Sequence, residues 1–245
     1  MRYWLHSTEK AEDPEAFAQK TSEICQAYQD AAEFAAAGGH TVSLDEMTGV
    51  QALEHKYPDK PVVPGKPAYV EFEYIRHGTT SLIGFFDVAT GRMECPYLNA
   101  TRTEEDLVKA VGALVETDPG ASWTFICDGL NTHKSEGLVC LVAELCGLDI
   151  DLGIKGKKGI LKNQESRMEF LHDQSHRIRF IYTPKHCSWL NQIEIWFGII
   201  NRQLLKRKSY TSIEELEQSI LRFIEQYNIS ASPFKWTYAG VPLTA

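Results

Sequence analysis

The sequence predicts an α/β protein: a mixed five-stranded sheet, its first three strands an antiparallel meander and the others parallel, flanked by helices. Three observations predict it. Alternating apolar and polar residues crowd between positions 40 and 91, the period-two pattern of strands with one buried face. Two short apolar runs follow, "SWTFICDG" and "RIRFIYT", set apart by segments of helical period, and strand–helix alternation leads to parallel pairing. The chain has 245 residues, 43% of them hydrophobic, enough to bury a substantial core without disulfide or metal staples.

Each element follows from local signals. Residues 13–37, "DPEAFAQKTSEICQAYQDAAEFAAA", are rich in Ala and Glu with apolar spacings of helical period. Asp13 is the expected N-cap, Pro14 takes the first helical position, and Gly38 and Gly39 end the helix. The β-branched "HTVSLDE" predicts a strand from His40 to Asp45. "AYVEFEYIRHG" and "TTSLIGFFDVATG" predict two more, joined as a hairpin near Gly78. Thr103, followed by acids, opens a helix running to Thr117. Ser122–Asp128 reads as a buried strand, and "HKSEGLVCLVAELCG" as a helix stopped by Gly147. "GIKGKKGILKN", rich in Gly and Lys, is expected to be a mobile basic loop. A short helix, Gln164–His172, precedes the strand "RIRFIYT". Two helices, Trp189–Lys208 and Ser212–Asn228, precede the tail "PFKWTYAG".

Composition narrows the class. No apolar run approaches the roughly 18 residues that span a bilayer, and "MRYWLHSTEKAEDPEAF" is too polar and acidic for a signal peptide. No membrane partner is expected. The six cysteines are scattered, with no C-x-x-C pair, which suits reduced thiols in the cytoplasm. Net charge is −8, yet residues 155–210 hold 12 Lys or Arg against 4 acids. A basic stripe on an acidic body can still track phosphates, because attraction acts within about a Debye length of 10 Å. Such a stripe can equally be a solvated surface.

Three acids stand at comparable places: Asp45 at the end of the first strand, Asp128 at the end of the fourth, Glu194 in the helix after the fifth. Strand ends of an open α/β sheet gather at one edge, the usual place for a site. Carboxylates converging there need a neutralising cation, and hard oxygen ligands suit Mg²⁺ or Mn²⁺ rather than zinc. Two ions about 3.5–4 Å apart serve phosphoryl transfer. Each acid alone has a plain structural reading; "DEMTG" and "DG" are ordinary turn sequences.

"SLDEMTGVQALEHKYP", "EFEYIRHGTTSLIGFFDVATG", "CDGLNTHKS", "YTPKHCSWLNQIEIWF", "LLKRKSYTSIEELEQSILRFIEQYN" and "PFKWTYAG" resemble bacterial insertion-sequence transposases of the mariner superfamily, through essentially the whole chain. The resemblance implies a ribonuclease-H-like core with a metal-binding Asp, Asp and Glu, which by motif are Asp45, Asp128 and Glu194. It implies hydrolysis at transposon ends with two divalent ions, Mg²⁺ or Mn²⁺. The freed 3′-hydroxyl then attacks double-stranded target DNA, typically at a TA dinucleotide, with a homodimer as the active complex. The implied division is an N-terminal helical segment over 1–39, a DDE catalytic domain over 40–210 with a basic insertion at about 150–176, and a C-terminal helix and tail over 211–245. Relatives usually begin with a helix-turn-helix that reads the ends. None precedes "MRYWLHSTEK", which reads as a truncated element, a second reading frame joined to a first by frameshifting, or one domain of a longer protein; a separately encoded or frameshift-fused helix-turn-helix is a candidate partner. The alternatives are a non-catalytic regulatory remnant and a plain nuclease on the same core.

Candidate DNA contacts are Arg76, His77, Asn131, His133, Lys134, Lys155, Lys157, Lys158, Lys185, Arg202, Lys206 and Lys208. Asn131, His133 and Asn191 could instead orient the carboxylates. Trp189 and Trp196 are expected in the core, while Trp236 beside Lys235 suits DNA or a second protomer. At about 100° per residue, Trp189, Ile193, Trp196, Ile200 and Leu204 share one helical face and Glu194 lies just beyond its flank, level with Asn201. The helix can thus pack its apolar face on the sheet and lean Glu194 over the strand edge.

Overall fold

The computed structural model describes residues 8–238. The opening "MRYWLHS" and residues 239–245, which include the end of the "PFKWTYAG" motif, lie outside the described residues. In chain order, α1 (Thr8–Glu12), α2 (Pro14–Gln29) and α3 (Ala31–Ala36) lead into the meander of β1 (Gly39–His55), β2 (Tyr74–Asp87) and β3 (Met93–Asn99). Then come α4 (Glu104–Val115), β4 (Ser122–Cys127), α5 (Glu136–Leu145), α6 (Gln164–His172), β5 (Ile178–Tyr182), α7 (Ile193–Ile200) and α8 (Ile213–Ile229). The sheet order is β3-β2-β1-β4-β5, antiparallel among the first three strands and parallel from β1 to β4 to β5. The expected five-stranded mixed sheet is therefore present, in the strand order of a ribonuclease-H-like core.

Alternation along the strands divides the core in two. Val42, Leu44, Phe125 and Phe180 pack with Leu107, Val111, Leu138, Val142 and Leu171 of α4, α5 and α6. Leu82, Phe86, Ile126 and Ile181 pack on the opposite face with Ile24 of α2, Trp196 and Ile200 of α7, and Ile220 and Ile224 of α8. Successive strand residues point to opposite faces, so one central strand serves both layers.

Several elements differ from expectation. The helix over 13–37 starts as read, with Asp13 Oδ1 accepting from the Ala16 N–H at 2.9 Å. It breaks at Asp30, where ψ is −6° and the carboxylate takes the Gln26 side-chain amide. The first strand does not end at Asp45, and "DEMTG" is no turn: β1 continues to His55 because β2 extends alongside it. An extra residue on β1 near Gly49 (φ +63°) and another on β2 near Gly78 absorb the register shifts. Gly78 therefore does not close a hairpin. It lies within β2 at φ +117°, where a Cβ would sit 2.6 Å from Ile213 Cδ1 of α8. Of the strand expected in "AYVEFEYIRHG", only Tyr74 onward belongs to β2. The segment before it forms a loop with isolated bridges Lys60–Tyr69 and Val63–Lys66, and Phe72 is 89% exposed.

The true third strand of the meander is β3, unforeseen because Pro96 interrupts "MECPYLN". As an edge strand it tolerates a missing N–H. The "mobile" basic loop is a folded turn. Gly153 and Gly159 (φ +89° and +72°) bring their backbones together, Leu161 is buried, and Lys155 and Lys158 pair with Glu136 and Asp151. The helix expected over Trp189–Lys208 is shorter. A 3₁₀ turn (Ser188–Leu190) precedes α7, and a π-helical turn (Asn201–Leu205) follows it. Trp196 is fully buried as expected, whereas Trp189 precedes the helix, is 51% exposed and meets Tyr238. Trp236 faces inward: its ring lies 4.9 Å from that of Tyr28 and its N–H donates to Cys25 Sγ.

Candidate active site

The parallel ladder between β1 and β4 ends at Ser43–Ile126. Two residues further along each strand, the same register sets Asp45 level with Asp128. Both side chains follow the parity of Ser43 and Ile126, so they stand on the α7 side of the sheet. Asp45 remains in the antiparallel ladder, opposite Gly84 of β2. Gly84 is the reason α7 can lie close: a Cβ there would be 2.8 Å from Ile193 Cδ1 and 3.3 Å from Phe197 Cε1.

Buried polar contacts fix the start of α7. Asn191 Nδ2 donates to the Leu44 carbonyl at 2.9 Å, directly before Asp45. The Tyr28 hydroxyl donates to the Leu190 carbonyl at 2.8 Å and accepts the Gln192 N–H at 3.2 Å. Glu194 then falls in the first turn of α7, where the helix dipole favours a carboxylate. Asp45, Asp128 and Glu194 line one open cleft of about 480 Å³ with Met47, Ser188 and Asn201. No Lys, Arg or His is among its described lining residues.

The electrostatics follow from that lining. Burial pushes the Asp45 carboxyl up to about 7, and the negative charges of Asp128 and Glu46 add to it, although the Glu46 N–H hydrogen bond at 2.8 Å works the other way. Burial, then the charge of Asp128, also raises Glu194. Burial alone would raise Asp128 too, but His133 outweighs it and holds this carboxyl below the ordinary range. His133 Nδ1 is 2.8 Å from Asp128 Oδ1, and Nε2 is 3.2 Å from Glu46 Oε1, off line for a hydrogen bond. Burial opposes a charged ring, but Cys127, Asp128 and Glu46 overcome it and hold the imidazole well above its usual range.

The donor set fits a hard divalent cation. The His133 ring offsets part of the charge at Asp128, and the remaining mutual repulsion of the carboxylates would be relieved by a cation. Among the described residues no three His, Cys, Asp or Glu side chains form a ready-made metal cage.

The remaining sequence candidates separate. His133 is 0% exposed and cannot touch DNA; its place is behind Asp128. Asn131 is exposed beside that acid, accepts from Gln164 and lines a neighbouring cleft with Arg102. Lys134 Nζ reaches toward Gly129, and Arg202 lies against Gly198 of the cleft. Lys157, Lys185 and Lys206 are exposed, and Lys208 binds Ser219 and Glu215. Arg76 and His77 sit apart on the β1–β2 extension, held by Tyr74 and Glu54. Sequence reading missed Glu46. Strand alternation was the available signal, since it turns Glu46 to the face opposite Asp45, where a carboxylate needs a partner.

A family profile described as DDE superfamily endonuclease matches residues 40–217. No curated protein matches. Among solved structures the chain is similar to "Crystal structure of the Mos1 mariner paired end complex with Mn" (TM-score 0.55, 14% identity, 92% of this chain and 58% of that one). It is likewise similar to "Crystal structure of the Mos1 Strand Transfer Complex" (0.55, 12%, 95% and 58%). A third is "Crystal structure of the catalytic domain of Mos1 mariner transposase" (0.50, 10%, 92% and 85%). The chain thus spans a little over half the length of the Mos1 chains in those complexes. At such identities the likeness is one of fold. With the family profile covering most of the chain, the protein belongs to the DDE superfamily endonucleases and carries the fold of a mariner transposase catalytic domain.

Proposed function

We propose that this chain is the catalytic part of a DNA transposase, hydrolysing phosphodiesters at transposon ends and joining the freed 3′-hydroxyl to target DNA. One observation carries the reading: carboxylates from three separate elements line a single open cleft whose described lining has no basic side chain. In this reading Asp45, Asp128 and Glu194 hold Mg²⁺ or Mn²⁺, two ions in the reacting complex. Such ions, when bound, supply the positive charge that stabilises the attacking and leaving oxygens of an in-line displacement. The chain's own residues do the positioning. β1 and its hydrogen bond from the Glu46 N–H hold Asp45, His133 turns Asp128, and the Asn191–Leu44 contact seats the helix bearing Glu194.

The partners in this reading are double-stranded DNA at the ends and at a TA target, a second copy of the chain, and a helix-turn-helix segment that reads the ends. The Mos1 structures named above, a paired-end and a strand-transfer complex, support the DNA partners by analogy of fold. Lys134 and Arg202, at the cleft's margin, are the first candidates for phosphate contacts. The test uses pre-nicked DNA carrying the element's terminal repeats. Cleavage should need Mg²⁺ or Mn²⁺ and collapse in Asp128→Asn; undiminished cutting by that variant refutes the site. Covalent joining of a 3′-hydroxyl end to plasmid separates a transposase from a nuclease that only hydrolyses.

A further inference from the structure

Glu46 and Asp45 are chain neighbours on β1, so they point to opposite faces of the sheet. Asp45 faces α7 and the cleft. Glu46 points to the side of Cys127 and Tyr182, with its side chain only 2% exposed. A carboxylate in that position needs compensation, and the His133 ring lies 3.2 Å from it. His133 bends round the end of β4, where its other nitrogen bonds the Asp128 backbone carbonyl at 3.1 Å and lies 2.8 Å from Asp128 Oδ1. The Tyr182 hydroxyl donates to the His133 carbonyl at 2.8 Å and fixes the ring's backbone.

The consequence lies in the oxygens of Asp128. Oδ1 faces the His133 ring and also accepts the Leu130 N–H at 3.0 Å. That oxygen is fully used, and Oδ2 is the one available to the cleft. A ring held at only one end can rotate; the Glu46 carboxylate, ion-paired at 3.2 Å with the far nitrogen, holds that end as well. We propose that Glu46 is a positioning residue that acts through His133, holding Asp128 with one oxygen occupied and the other turned into the cleft. This role rests on reading Asp128 as a metal ligand.

The test measures Mn²⁺ affinity by the paramagnetic resonance of free Mn²⁺, with no DNA present, alongside cleavage kcat, KM and melting temperature. Glu46→Ala should weaken Mn²⁺ binding about 10- to 100-fold and lower kcat with KM for DNA unchanged. Glu46→Gln, which keeps the side chain's shape against the ring but loses its charge, should fall between it and wild type. His133→Ala should weaken binding similarly, and the double variant no further, because one residue acts through the other. If Glu46→Ala does not fold, Glu46→Gln against wild type and His133→Ala gives the same ordering. Mn²⁺ affinity unchanged in folded Glu46 variants, with only the melting temperature lowered, overturns the role, as do additive losses in the double variant. If wild type binds no Mn²⁺ and Asp128→Asn cleaves normally, the metal site itself is refuted, and this role with it.

Discussion

Gly84→Ala adds one methyl group between the strand opposite Asp45 and the helix that carries Glu194. The new Cβ would stand 2.8 Å from Ile193 Cδ1, 3.2 Å from Met93 Cε and 3.3 Å from Phe197 Cε1. All three side chains are buried, so none can swing into solvent. Overpacking of this kind costs about 1–3 kcal/mol. Replacing Gly by Ala returns about 0.4–1 kcal/mol through the unfolded chain, leaving a net loss between about zero and about 2.5 kcal/mol. Activity should suffer more than stability. Relief requires α7 to move off the sheet, and about 1 Å of misplacement can cost on the order of 100-fold in rate. Urea unfolding gives the first quantity and metal-dependent DNA cleavage the second. Ile193→Val removes the closest atom, so the double variant should recover rate relative to Gly84→Ala. A Gly84→Ala protein with wild-type rate, or a double variant whose losses simply add, refutes the argument that this contact places Glu194.

Two further predictions concern charge. Asp106 is buried and accepts hydrogen bonds from Thr101, Thr103, Asn99 and Tyr97, led by that from Thr101, which together hold its carboxyl well below the ordinary range. The stability it contributes is present above the unfolded value of about 3.9 and is lost as pH falls toward the depressed folded value. Asp106→Ala, which removes the capping box of α4, should cost about 1–2 kcal/mol near neutrality and flatten the acid limb of the melting profile; an unchanged limb refutes this. Asp45 has the opposite sign. Pushed up to about 7, it holds a proton that the unfolded chain has released, so metal-free stability should fall as pH rises from about 4 toward that value. Asp45→Asn should remove this slope. Mn²⁺ at about 100 times its Kd should add about 2.7 kcal/mol, and at a fixed Mn²⁺ concentration the gain should grow with pH as the carboxylates lose their protons and Kd falls. A melting temperature indifferent to Mn²⁺ counts against the site.

The sequence by itself determined what local chemistry decides. Thr103 and Asp13 cap their helices as their side chains predict. Strand alternation foretold a five-stranded mixed sheet, and spacing picked out three carboxylates that line one cleft. Tertiary structure decided what depends on partners distant in the chain. β1 continues past Asp45 because β2 hydrogen-bonds to it, a pairing that no residue of "DEMTG" announces. "MECPYLN" becomes a strand at the sheet edge, where Pro96 loses nothing by having no N–H. The Lys-rich loop is ordered by two glycines whose backbones meet and by Leu161 in the core. His133 left the list of DNA contacts for the same reason that Glu46 entered the site. Three-dimensional folding places both beneath Asp128, and desolvation makes each carboxylate there depend on the ring between them.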